Sequence, residues 1–239
     1  MRNIILGGLV ALTLASCAEE KKPKDGLDIS GTIKGFKKGT LYIQRLNDSS
    51  KLVPIDTLKF NGQSDFSTHI DLKEPEMLYL FLDRGVTNSI DNNLPFFAEP
   101  GSMTIQTSLE YFTADATIKG SKNQDLYNEY QLMMSRLINK NLDLIQMRLI
   151  AANEKNTARM DSIQKEQDDN LKRRYLTTTN FVVNHGDYEI APYITLAEIP
   201  DVTLKYLDTI EKSITPKIAK SKYGKKLTTY IAERKKMGQ

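Results

Sequence analysis

The hydrophobic period of this chain changes once, at Gly120-Ser121, and no fold that interleaves strands and helices survives that change. Before it, short apolar runs alternate with Gly, Asn, Asp and Pro. After it, apolar residues recur at spacings of three and four. Strands first and helices second predict an α+β chain: an N-terminal antiparallel β-sandwich or barrel-like domain over residues 27–120, then an α-helical hairpin or bundle region over residues 121–239. With 40% hydrophobic residues, the 239-residue chain can bury a core as one large domain or two small ones.

In the first half the expected strands are Leu27–Lys34, Thr40–Leu46, Lys51–Phe60, Asp65–Asp71, Met77–Asp83, Leu94–Ala98, Ser102–Thr107 and Asp115–Lys119. Asn61-Gly62 is the best hairpin turn signal, because both residues accept the positive φ of such turns. Along the second strand Leu41, Ile43 and Arg45 alternate with Tyr42, Gln44 and Leu46, so neither of its faces is purely apolar.

The second half opens with a long amphipathic helix capped by Ser121. Leu126, Tyr130, Met133, Leu137, Leu144, Met147 and Ala151 form its apolar face, and Met134, Ile138, Ile145 and Leu149 a neighbouring row. A more polar helix from about Thr157 to His185 is expected to pair with it as a hairpin, with Met160, Ile163, Leu171, Tyr175, Leu176, Phe181 and Val182 inward. Shorter pieces follow: one over Tyr188–Glu198, one over Asp201–Ser213 capped by Asp201, and others flanked by Pro216 and Gly224. Leu227, Tyr230 and Ile231 then share one helical face.

The N-terminus carries address rather than fold. Arg2, the apolar run Ile4–Leu14 and the small residues Ala15-Ser16 before Cys17 have the anatomy of a bacterial lipoprotein signal peptide over residues 1–16. The run falls short of the ~20 apolar residues a membrane-spanning helix needs. Cleavage would leave Cys17 as the lipidation site, its acyl chains (palmitate or similar) holding the protein in the membrane. Residues 17–26, polar with one Pro and one Gly, then read as a tether, and their Glu19-Glu20 pair resembles the surface-export signals of lipoproteins in Gram-negative bacteria of the Bacteroides type. The expected location is the cell envelope, anchored to the outer membrane on its periplasmic or its exposed face.

Few residues suggest chemistry. Cys17 is the one cysteine in the chain, so lipidation would leave the folded part without disulfides, thiolate catalysis or cysteine ligands. His69 and His185 are far apart with no HExxH or CxxC partner and are assigned structural or surface roles; no metal or cofactor is expected. Asp168-Asp169 and Glu19-Glu20 are adjacent carboxylates, which diverge on a helix, and are assigned to solvated faces. The chain has no GxSxG elbow and no phosphate-binding glycine loop. A net charge of +3 is too mild for a nucleic-acid binder. The basic stretch Lys217–Lys236 reads as a solvated last helix, and Tyr42, Tyr79, Tyr111, Phe96 and Phe97 as core or turn packing rather than a ligand face.

Several short stretches together resemble a known family: Gly31-Thr32-Ile33-Lys34-Gly35, Gly39-Thr40-Leu41-Tyr42-Ile43, Ile55-Asp56-Thr57 with Asp65-Phe66, Glu99-Pro100-Gly101-Ser102-Met103-Thr104-Ile105, and the join Ile118-Lys119-Gly120-Ser121 running into Leu126-Tyr127-Asn128-Glu129-Tyr130. The chain resembles the domain of unknown function 4369 family, the N-terminal module of envelope lipoproteins that often carry a thioredoxin-like domain behind it. Here Met237-Gly238-Gln239 looks like the junction to that domain, and no thiol of a redox pair is present to carry its activity over. The resemblance implies a partner in trans of the thioredoxin-like kind. The function expected is that of a non-catalytic, membrane-anchored interaction or scaffold module; the alternatives are a glycan- or peptide-binding envelope module, or a truncated remnant of a thioredoxin-like oxidoreductase.

Overall fold

The computed structural model describes residues 26–85 and 90–238. The eight expected strands all form: β1 (Leu27–Lys34), β2 (Lys38–Leu46), β3 (Leu52–Asn61), β4 (Asp65–Ile70), β5 (Glu76–Asp83), β6 (Asn93–Ala98), β7 (Gly101–Ser108) and β8 (Thr117–Lys119). They make two four-stranded sheets, β4-β1-β7-β8 and β3-β2-β5-β6, so the architecture is a two-sheet sandwich and not a closed barrel. Leu27, Ile29 and Ile33 of one sheet share a single buried cluster with Leu41, Ile43, Leu80 and Phe96 of the other. Gly31 of β1 lets its neighbours in the same sheet approach closely, since a Cβ there would lie 2.1 Å from the Ile105 carbonyl oxygen of β7 and 2.7 Å from the Phe66 ring of β4.

Two features of the sandwich depart from expectation. Asn61-Gly62 does make a turn, with Gly62 at φ 104°, but it joins no hairpin: β3 pairs with β2, whereas β4 crosses to the other sheet and pairs with β1. Turn chemistry sets the reversal, while the partner of each strand is set by which face it must bury. In addition, β1 runs parallel to β7, one parallel pair among otherwise antiparallel ladders.

Six helices follow: α1 (Lys122–Asn153), α2 (Thr157–Asn184), α3 (Ile190–Glu198), α4 (Leu204–Ser213), α5 (Pro216–Ala219) and α6 (Lys222–Lys236). Ser121 caps α1 as expected, accepting from the Gln124 N–H at 3.0 Å. Asp201 caps nothing: α4 begins three residues later, and the Asp201 carboxylate instead accepts the Tyr175 hydroxyl at 2.6 Å. Gly224 lies inside the first turn of α6 rather than beside a helix, because any Cβ would meet the Ile218 carbonyl oxygen at 1.9 Å.

The helical layer packs on the outer face of the second sheet. Leu78, Leu80, Leu82, Leu94, Phe96 and Ala98 point into the sandwich, while Met77, Tyr79 and Phe97 from the same two strands point out into a second cluster with α1, α2, α3, α4 and α6. Strands β5 and β6 are therefore buried on both faces, and the order of layers is sheet, sheet, helices. At the contact Phe97 meets Tyr193 edge-on at 5.5 Å and Tyr223 at 6.0 Å, and Tyr193 meets Tyr223 at 5.1 Å and Tyr127 at 6.4 Å.

Removing the Phe97 ring, which is fully buried, takes away the sheet's main contact with the helices. Phe97→Ala is expected to lower the unfolding free energy by about 3–5 kcal/mol, read from denaturant titration. Burial also holds the tyrosine hydroxyls in their neutral form: Tyr127 and Tyr130 are pushed up to about 12, and Tyr193 and Tyr223 are raised as well, all chiefly by loss of water. A tyrosine in the unfolded chain ionises near 10, so the stability these groups contribute is complete below pH 10 and is lost as pH rises toward 12. Alkaline titration should show tyrosinate absorbance appearing together with loss of helical circular dichroism; tyrosine ionisation complete while the fold is intact would contradict this packing.

Candidate functional site

Two polar anchors fix the helices to the sheet. In the first, Asn123 in the opening turn of α1 is fully buried and uses all of its amide. Its nitrogen donates to Glu99 at 2.6 Å and to Glu189 at 3.2 Å, and its oxygen accepts the Ile190 N–H at 2.8 Å. One side chain thus ties the β6–β7 turn, the start of α1 and the start of α3. Beside it the Gln124 side chain accepts the Phe97 N–H at 2.6 Å, satisfying a donor on the outer edge of the sheet.

The second anchor is ionic. Leu41, Ile43 and Arg45 form the inward row of β2, and the row ends in charge at the sandwich rim. Glu76, 3% exposed, lies between the Arg45 guanidinium at 2.5 Å and the Lys222 ammonium at the start of α6. The Lys222 N–H donates to Glu74 at 2.7 Å, and the Tyr223 hydroxyl accepts the Met77 N–H at 3.0 Å. Below these contacts a cleft of about 490 Å³ is lined by Glu74, Glu99, Glu189, Lys217 and Lys220. Its charges are mixed in sign and its three glutamates already serve as acceptors, which suits an anchor better than a ligand site. Because Arg45 and Lys222 keep 34% and 27% of their side chains in water, Glu76→Gln is expected to cost about 2–3 kcal/mol, less than a fully buried pair, as measured by denaturant titration with the tyrosine core as the probe.

What the first anchor holds is a hairpin arm. Helix α1, at 32 residues, is about 48 Å long, and only its base packs on the body, through Leu126, Tyr130 and Met134. Beyond Leu137 the buried apolar side chains belong to α1 and α2 alone: Leu144, Ala151 and Ile163, with Met160 beside them. Lys155 at the tip adopts φ 55°, and the Asn156 N–H reaches the Ala151 carbonyl at 2.9 Å, closing α1 before Asn156 caps α2.

On this arm the second row of the sequence pattern behaves differently from the first. Met134 is buried, but Ile138, Ile145 and Leu149 are 44%, 41% and 63% exposed, and Leu142, which completes the row at spacings of four, three and four, is 58% exposed. Met133 and Met147, expected inward, are exposed too, as are Leu171 and Leu176 of α2. One flank of the row is Ser135, Asn139, Gln146 and Asn153, all uncharged, and the other carries Asn141 and Arg148, whereas α2 carries nine charged residues in 28. Of the charged residues in this part of α1, Lys140 and Arg148 turn to Glu166 and Gln167 of α2. A long solvent-facing stripe of aliphatic and neutral side chains is suited to burial against another helix and offers no group for catalysis.

The remaining candidates fall elsewhere. Cys17 and Glu19-Glu20 lie outside the described residues. His69 pairs with Asp28 at 2.7 Å on β1–β4, and His185 ends α2 with its ring on Phe181 and its Nδ1 at 2.8 Å from the Phe181 oxygen. Asp168 accepts from Gln164 and Asp169 from Lys172. Among the described residues no group of three or more His, Asp and Glu side chains could hold a metal ion, and no helix is long and apolar enough to cross a membrane. Phe96 fills the sandwich, Phe97 and Tyr79 the helical contact, Tyr42 stacks near Phe81, and Tyr111 is exposed in a turn. The basic last helix is less solvated than expected: Arg234 binds the Pro200 and Val202 carbonyls, and Lys235 binds Asp208 and Glu211.

Residues 27–127 match the model of a protein family described as a domain of unknown function, DUF4369. No curated protein and no solved structure matches the chain. The matched span takes in the whole sandwich and the first turns of α1, including Asn123 and Gln124, and stops before the arm. The sandwich and the stapled start of α1 are thus the part of the chain that is similar to the DUF4369 family.

Proposed function

We propose that the protein is a non-catalytic, lipid-anchored envelope module whose sandwich is a pedestal and whose α1–α2 hairpin is an arm for protein interaction. The observation that carries this reading is the exposed row Ile138-Leu142-Ile145-Leu149, with Arg148 as the one charged residue on its flanks, on an arm fixed at its base by Asn123 and Gln124. Leaving such a row in water is unfavourable, and nothing within the arm's own packing requires it: the α1–α2 contact is made by the neighbouring row. The anchor rests on the lipoprotein signal before Cys17 and on the polar tether behind it.

Each half has its own test. Cys17→Ala is expected to abolish acylation and move the protein from the membrane fraction to the soluble one; a variant that stays membrane-bound would overturn the anchoring. For the arm, a photo-reactive amino acid at Leu142 should form protein adducts in cells, while the same group at exposed Thr209 on α4 should not. Absence of any adduct from Leu142 would remove the arm's assigned role.

A further inference from the structure

We infer that the occupant of this row is the same row of a second copy, paired antiparallel across a two-fold axis between Leu142 and Ile145. The inference rests on the reading of the arm as an interaction element and names its partner. Written out, the open row is Ile138, Leu142, Ile145 and Leu149. Its spacings of four, three and four are those of a coiled-coil seam, and they read the same from either end. Antiparallel pairing therefore sets Ile138 of one copy against Leu149 of the other and Leu142 against Ile145, an aliphatic residue meeting an aliphatic residue in all four layers. The amides follow: Asn141 of one copy comes level with Gln146 of the other, and Ser135 comes level with Ala152.

Three further observations favour a copy of this chain over another occupant. First, the seam is bordered on one side by Ser135, Asn139, Gln146 and Asn153 and on the other by Asn141 and Arg148, and the antiparallel register sets Arg148 level with Asn139 of the other copy, so no like charges are brought face to face, the usual obstacle to self-pairing of a charged helix. Second, the row continues the line by which Met134 and Tyr127 at the base of α1 already pack against α2 and α3, so a second copy extends an existing helix contact rather than creating a new kind of surface. Third, the open part begins at Ile138, just past the body, and ends at Leu149, just short of the tip; with antiparallel arms the two bodies lie at opposite ends and each tip reaches the edge of the other body. A lipid surface would be matched better by a set of cations along both flanks of the row, whereas the flanking positions carry one, Arg148, which turns to Gln167 of α2.

The contact is isologous and small compared with the roughly 800 Å² per partner of a standard interface, so the dimer is expected to be weak, with a Kd on the order of 10 µM. The test uses the full chain in a Cys17→Ala background, in which introduced cysteines are the only thiols. Sedimentation equilibrium should show a monomer–dimer exchange that Leu142→Asp shifts at least tenfold toward monomer while leaving the thermal midpoint unchanged, since that position is already exposed. Disulfide trapping gives the orientation. Ile138→Cys and Leu149→Cys chains should cross-link when mixed and not when either is oxidised alone, because in the antiparallel pair position 149 is about 16 Å along the axis from its own counterpart, beyond disulfide reach. Cross-linking of either variant by itself would overturn the antiparallel register. A wild-type chain that sediments as monomer at concentrations well above that Kd would overturn self-pairing. So would binding to phosphatidylglycerol–phosphatidylethanolamine vesicles that Leu142→Asp abolishes, which would assign the row to lipid. Adducts from Leu142 solely to another protein would overturn self-pairing and leave the arm an interaction element; no adduct at all would remove both.

Discussion

Burial of β5 and β6 on both faces is the constraint on which the remaining structure depends. Leu78, Leu80 and Phe96 need the opposite sheet, and Met77, Tyr79 and Phe97 need the helices, so neither layer can be withdrawn without exposing apolar surface of the same two strands. In sequence this appears as a strand with no polar face: Glu76–Asp83 is Glu-Met-Leu-Tyr-Leu-Phe-Leu-Asp, a run typical of a sheet covered on both sides. The helical half is in that sense the second wall of the β half and not an appendage to it.

Polar groups give that apolar contact its register. An aromatic cluster tolerates sliding, whereas the amide of Asn123 is satisfied only when the β6–β7 turn, α1 and α3 converge, and Glu76 is neutralised only when α6 sits against β2 and β5. Both anchors lie near the ends of elements: the first turns of α1, α3 and α6. They act as pins at helix starts, and from the pinned start of α1 the arm extends in a set direction. Position of the exposed row relative to the sandwich is thereby decided far from the row itself.

Much of the local structure was legible because its causes are local. Strand limits fell close to expectation wherever Gly, Asn, Asp or Pro ends a run, and Ser121 announced α1 through the geometry of a cap. The failures have a common origin in non-local competition. Asn61-Gly62 specifies a reversal but not which sheet receives β4, and the parallel β1–β7 pair has no local signature at all. Asp201 has the right chemistry for a cap, yet the hydroxyl of Tyr175, 26 residues earlier, takes its carboxylate. On α1 two apolar rows are equally periodic; periodicity shows that Ile138 and Ile145 share a face, and cannot show that α3 and α4 stop short of covering it.

By itself the sequence determined the order of β before α, the limits of the elements, the pairing of α1 with α2 and the lack of any second thiol, since each follows from period, punctuation or composition. Only the tertiary structure decided that the two sheets share one core, that tyrosines and Glu76 seal the helices to it, and that the outer row of the arm is left facing water. The physical reason is one of range: backbone conformation responds to residues a few positions away, whereas exposure depends on which distant surfaces arrive to exclude water, and for this row none does within the described residues.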